Sequence, residues 1–318
     1  MKVRLAALAA VFASANAGAQ NENVAAHIAA AIDAAGEHVG MVDRLCPMPN
    51  AERRRVVGPA GSGRSGAQPA GRAEREPQKV FDNLYYVGMI EFSTWAVTTS
   101  AGIIVIDPIF DYSVEAHVVD GLRKLGFDPA DITYVLVSHG HGDHAGGARF
   151  LQENFGASVI MGAADWDLVE AQNPSWRPQR DIVVDADREL TLGDTTLRLI
   201  MTPGHTYGTI STLIPVRDGD SEHLAALWGG TLFNFGPDAE RFAAYAESAE
   251  RFREIAVQSG ADIVLSNHTD YDGSKQKMPA LANRSPGDPH PFVVGTESIE
   301  RYLTVANECA QAALATLE

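Results

Sequence analysis

Ser138-His139-Gly140-His141-Gly142-Asp143-His144 directly follows the apolar run Tyr134-Val135-Leu136-Val137. Three histidines and an aspartate within six residues are costly to hold in a folded loop unless something binds them. Imidazole is a preferred zinc ligand and carboxylate a good one. Gly140 and Gly142 let the backbone turn tightly enough for several of these side chains to converge. A solvated histidine-rich turn is the competing reading. It weakens because two more histidines stand in matching contexts. Thr202-Pro203-Gly204-His205-Thr206 follows a candidate strand at 196–201, and Ser266-Asn267-His268 follows another at 262–265. Three strand ends therefore each present histidine, and together they point to a metal centre. The other histidines, His27, His38, His117, His223 and His290, lack such a context and read as surface or structural.

Outward from this loop, apolar runs alternate with helical patterns. Strands are expected at 81–87, 95–99, 103–106 and 134–137, and helices near 113–125 and 148–154. Short strands dominate from 180 to 215, and a helix at 240–259 with a strand at 262–265 repeats the earlier rhythm. Two halves, each β-rich and then helical, indicate a layered α/β architecture with two sheets face to face and helices outside.

The N-terminal quarter differs. Lys2 and Arg4, the apolar run 5–13 and Ala17-Gly18-Ala19 have the order of a secretory signal peptide cleaved before Gln20. That predicts a periplasmic or secreted protein with no membrane span, since no later stretch reaches the ~18 apolar residues a span needs. Residues 20–50 form a helical extension, with Val24, Ile28, Ile32, Val39 and Val42 on roughly one face. Residues 51–79 are rich in Gly, Pro and Arg, poor in large apolar side chains, and read as a flexible linker before a catalytic domain at 80–318. Export permits a Cys46–Cys309 disulfide, but spacing alone leaves it open. A net charge of −16 weighs against nucleic-acid partners and leaves a small-molecule substrate. The oligomeric state is not legible.

His139-x-His141-x-Asp143-His144, Pro203-Gly204-His205-Thr206 and the placement of His268 resemble the ligand motifs of the metallo-β-lactamase superfamily, over roughly residues 80–318. The resemblance implies the four-layer αββα sandwich and two zinc ions per chain. His139, His141 and His205 are expected to hold one, and Asp143, His144 and His268 the other. It also implies hydrolysis by a zinc-activated water, with Asp143 as the catalytic proton carrier. Asp107, at a strand end beside the motif loop, is expected to hydrogen-bond a ligand histidine. Glyoxalase-II-like thioesterases and many lactonases of the superfamily carry a bridging aspartate between the last two histidines. The matching stretch here, Trp228-Gly229-Gly230-Thr231-Leu232-Phe233, has no carboxylate. The third subclass of metallo-β-lactamases, with histidines plus one aspartate and a serine where Thr231 stands, is the nearest likeness. Thr231 is therefore expected to support the site from behind the ligands. Asp107-Pro108 and Thr269-Asp270-Tyr271-Asp272 depart from that pattern. The implied activity is opening of a cyclic amide such as a β-lactam. A lactonase or esterase, and a non-catalytic zinc-binding relative, are the alternatives. Trp95, Tyr207 and Asn234 lie on segments that can face the cleft.

Overall fold

The computed structural model describes residues 20–48 and 75–318. The signal-like leader, most of the linker and the last two residues of the helical extension lie outside the described residues.

Seven strands form the first sheet in sequence order: β1 (Gln78–Phe81), β2 (Leu84–Tyr86), β3 (Trp95–Thr99), β4 (Gly102–Ile106), β5 (Ile132–Leu136), β6 (Ser158–Gly162) and β7 (Ile182–Val184). The pairs from β1 to β4 are antiparallel and those from β4 to β7 parallel. The second sheet runs β12-β11-β10-β9-β8, from β8 (Arg188–Leu192), β9 (Thr195–Met201), β10 (Ile210–Asp218), β11 (Ser221–Trp228) and β12 (Ile263–Ser266). Only β11 and β12 pair in parallel here.

The apolar run of β4 shows why the sheet must be covered on both faces. Successive side chains of a strand point to opposite sides. Ile104 and Ile106 enter the core shared with Leu197, Leu199, Ile210 and Leu265 of the second sheet. Ile103 and Val105 enter the core on the other face, with Val118, Leu122 and Leu151 of the covering helical segments. A strand buried on both faces reads as continuous apolar sequence, so the four-layer αββα sandwich follows.

The helical segments of the first half are a widened turn (Glu115–Val119) leading into α3 (Asp120–Lys124), α4 (Gly142–Ala145), α5 (Ala148–Phe155) and α6 (Ala163–Gln172). The second half adds α7 (Ala239–Gln258), α8 (Ser274–Ala282) and α9 (Thr296–Ala315).

One domain boundary needs correction. Gln78 and Lys79, assigned to the linker, lie in β1 paired with Tyr86 and Tyr85. Before them, Glu76 pairs with Lys124 at 3.1 Å. An edge strand tolerates such polar residues, which is why the sequence disguised it. The N-terminal extension packs onto the domain. Helix α1 (20–35) and α2 (Val39–Leu45) bury Ile28, Ala31, Met41, Val42 and Leu45 in one core with Phe252 of α7 and Tyr302 and Val305 of α9. Cys46 is disulfide-bonded to Cys309 of α9. No described helix is long and apolar enough to cross a membrane.

Candidate metal centre

The six residues singled out in the sequence converge at one end of the sandwich. His139, His141, Asp143 and His144 come from the loop after β5 and the short α4; His205 follows β9 and His268 follows β12. Both sheets therefore contribute to the centre.

Ring geometry fixes which nitrogens are donors. His139 donates from Nδ1 to the Gly229 carbonyl at 2.7 Å, and His205 from Nδ1 to the Leu232 carbonyl at 2.5 Å. Each Nε2 is then a lone pair, yet the two Nε2 atoms are only 3.0 Å apart. His141 Nδ1 lies 3.1 Å from His205 Nε2. Facing lone pairs repel unless a cation lies between them. Tetrahedral zinc with bonds of 2.0–2.1 Å sets its donors about 3.3 Å apart, close to these separations.

The second group repeats the pattern. Asp107 Oδ2 accepts from His144 Nδ1 at 3.1 Å. This turns His144 Nε2 toward His268 Nε2 and Asp143 Oδ2, each 3.2 Å away. His268 Nε2 is 3.7 Å from the same carboxylate oxygen. The two groups share a wall, since the donors of His139, Asp143 and His144 also lie within 4.8 Å of one another. The donor set fits metal binding.

Electrostatics agree. Burial pushes the His139 imidazole well below its ordinary range, helped by the neighbouring histidines. His141 is lowered by burial, and burial takes His205 and His268 down to about 3. These four rings are neutral at pH 7, the form that binds metal. His144 goes the other way. Burial alone lowers it, but the Asp143 and Asp107 carboxylates outweigh burial and raise it to about 10. Burial raises Asp143 in turn, and His144 and His268 more than offset this, holding the carboxyl well below its usual range. The space beside Asp143 favours positive charge.

Asp107 is buried with φ +56°, a left-handed conformation uncommon outside glycine. It accepts from the Ser138 amide and hydroxyl, both at 2.7 Å, besides His144. Thr231 is buried behind the ligand loops. Its hydroxyl lies 3.4 Å from Ser266 Oγ, which in turn accepts from the His268 amide at 3.3 Å. Its link to the ligands runs through Ser266, while the backbone at Gly230 passes directly under His205. A Cβ at Gly230 would meet His205 Cβ at 2.5 Å. Trp95 is fully buried between the sheets, donating to Ser266 O at 3.4 Å, and does not face the cleft. Tyr207 is exposed, with the Arg241 guanidinium 5.7 Å from its ring centre, and Asn234 is exposed.

Two organising residues escaped the sequence reading. Asp165 of α6 is buried and accepts from Gly140 N and Thr206 Oγ1 at 2.7 Å and from Gly208 N at 3.1 Å. One carboxylate thus ties the His139–His141 loop to the His205 loop. Burial raises its pKa. Arg241 of α7 donates through Nε to Gly204 O at 3.1 Å and through Nη2 to His205 O. The sole signal for Asp165 was an acid beside an apolar Trp166 in a helix's first turn, where it also suits the dipole.

Residues 93–219 match the family model described as the metallo-beta-lactamase superfamily. The chain is 30% identical to a hydroxyacylglutathione hydrolase of Acidiphilium cryptum over 203 residues, covering 60% of this chain and 72% of the relative. Other curated relatives are spanned over 50–61% of their length. Among solved structures, a subclass B3 metallo-β-lactamase of Bradyrhizobium japonicum superposes with a TM-score of 0.65 at 28% identity, covering 74% of this chain and 92% of that one. A metallo-β-lactamase from Legionella gormanii gives 0.64 at 25% identity, covering 74% and 94%.

Proposed function

The chain belongs to the metallo-β-lactamase superfamily, and on that premise we propose that it is an exported two-zinc hydrolase of cyclic amides, with β-lactams the leading candidates. The observation that carries the substrate assignment is the stretch lying under the donors. Within Trp228-Gly229-Gly230-Thr231 the Gly229 carbonyl accepts from both His139 and Asn267, and there is no carboxylate to bridge two metals. The bridging aspartate expected of glyoxalase-II-like thioesterases has no counterpart there. Likeness to the subclass B3 enzyme over 92% of its length supports the same reading.

In this reading His139, His141 and His205 hold one zinc, and Asp143, His144 and His268 the other. Zinc at such a site lowers the pKa of bound water to about 7 and polarises a carbonyl. The protein supplies orientation. His139, His205 and His144 each engage Nδ1 with a fixed acceptor, so their Nε2 atoms need no rearrangement. Asp143 turns Oδ2 toward His144 and His268, which leaves Oδ1 to take a proton and pass it to the leaving nitrogen. Asp107 holds His144 and the Ser138 backbone in one place.

Identity to the hydroxyacylglutathione hydrolase favours a second reading, hydrolysis of a thioester or other ester. The zinc-loaded protein should be assayed on a chromogenic cephalosporin beside an S-acylglutathione and a panel of lactones and aryl esters. The expected result is a kcat/KM for the cephalosporin at least tenfold above the others. Preference for the thioester or lactones transfers the assignment to the second reading, and no cephalosporin turnover by fully loaded protein ends the first. Export is supported by the signal-like leader and by the Cys46–Cys309 bond, a feature of oxidising compartments. A mature protein recovered outside the cytoplasm with Gln20 at its N-terminus is the expected result, and an intact Met1 in that fraction contradicts it.

A further inference from the structure

The loop that carries His268 runs on into Thr269-Asp270-Tyr271-Asp272, and its outer side is covered by the N-terminal segment. Arg44 of α2 pairs with Asp270, Nη1 to Oδ2, at 3.1 Å. The Arg44 guanidinium also lies 5.4 Å from the centre of the Tyr271 ring. Lys275 takes the other Asp270 oxygen at 2.7 Å. Tyr271 is nearly buried, its amide donates to His268 O at 3.1 Å, and its ring meets His268 edge-on at 6.2 Å and 81°. Phe92 bounds His268 at 5.2 Å. A continuous chain of contacts therefore runs from Arg44 through Tyr271 to His268.

An ion pair between half-exposed side chains contributes little by itself, because fixing two long side chains costs entropy. Here that cost is reduced beforehand. Cys46, two residues after Arg44, is bonded to fully buried Cys309, so Arg44 is held over the loop whether or not it pairs. Preorganisation of this kind lets a contact act on its partner instead of being offset by ordering.

We propose that Arg44 is a positioning residue for His268, and that the disulfide-tethered N-terminal segment is a working part of the metal site formed by Asp143, His144 and His268. This rests on the two-zinc reading above. Groups that orient a metal-binding histidine govern metal affinity through the ring's angle of approach.

The test is zinc release. Arg44→Met keeps the stem and loses the charge; Arg44→Lys restores the charge opposite Asp270 without the planar guanidinium over Tyr271. Zinc is withdrawn from each full-length protein with a chromogenic chelator, His268→Ala identifies the equivalent belonging to this triad, and unfolding of the metal-free proteins is followed in parallel. In Arg44→Met the His268 equivalent should be held about tenfold more weakly, the low end for an outer-sphere change. The other equivalent and the metal-free Tm should stay in place. Arg44→Lys should recover part of the loss, and the double variant Cys46→Ala/Cys309→Ala should weaken the same equivalent. Two zinc equivalents released from Arg44→Met as from wild type overturn the proposal alone. Weakening of both equivalents together with a lower metal-free Tm also overturns it, because that marks a general loss of packing. A wild-type chain holding no second zinc removes the two-zinc reading and the proposal together.

Discussion

Replacing Asp165 by alanine would separate the two loops that carry His139, His141 and His205. Its carboxylate accepts three hydrogen bonds, two of them from backbone amides, Gly140 N and Gly208 N. Thr206 Oγ1 keeps a partner in Thr209 Oγ1 at 2.8 Å, so the hydroxyl is not stranded. The two amides are, at about 1–3 kcal/mol each for a buried unsatisfied donor. Removing a carboxylate that burial disfavours returns part of this, and a net loss of about 2–4 kcal/mol follows from the same range. Because the amides flank candidate ligands, part of the loss should appear as weaker metal binding, where about 1.4 kcal/mol is a factor of ten. Denaturant unfolding of metal-free protein and chelator competition on loaded protein measure the two parts. Asp165→Asn should be milder, since its carbonyl oxygen can still take Gly140 N and Thr206 Oγ1. An Asp165→Ala protein with wild-type stability and wild-type zinc retention would refute the reasoning.

Asp143→Asn keeps the shape but removes the proton acceptor, and turnover should fall by about 10²–10⁴; unchanged turnover, with zinc content measured on the same sample, would remove Asp143 from the chemistry. Cys46→Ala/Cys309→Ala should lower stability by about 2–5 kcal/mol, toward the top of that range because the bond joins residues 263 apart; equal denaturation midpoints for oxidised and variant protein contradict this. Burial holds His38 down to about 4, against an ordinary 6.5. Between those values the unfolded chain binds a proton that the folded chain refuses. The contribution of neutral His38 is therefore complete above pH 6.5 and is lost as pH falls toward 4, by about 1–3 kcal/mol. The slope of Tm against pH over that window should flatten in His38→Gln, and an identical slope argues against His38 as the source.

The sandwich and the donor cluster were legible because their signals are local. Ile103–Ile106 is apolar without alternation, as a strand buried on both faces must be, and His139 to His144 crowd four potential ligand side chains, three histidines and an aspartate, into six residues. His205 and His268 could be joined to them because each follows an apolar strand. Asp165 was not legible, since the atoms it organises are 25 to 43 residues away and its own helix is unremarkable in pattern. The docking of α1 and α2 was hidden for the same reason: Cys46 and His38 find Cys309 and Ser298 only once the chain is folded. Thr231 was expected behind the ligands, but its contact with Ser266 was not legible because the two residues lie 35 apart in the sequence.

Each group of donors draws on both sheets: His139 and His141 with His205, and Asp143 and His144 with His268. Any cation held by either group would therefore add a bridge between two layers already joined by apolar packing and by hydrogen bonds such as Ile210 N to Ser138 O at 2.8 Å. Sliding one sheet against the other would break coordinate bonds before it exposed much surface. Metal occupancy should then govern how fast the layers part, as well as how stable they are together. A chain stripped of metal would present proteases with a sandwich whose seam opens from the metal-site end, and its lifetime would follow the local supply of metal.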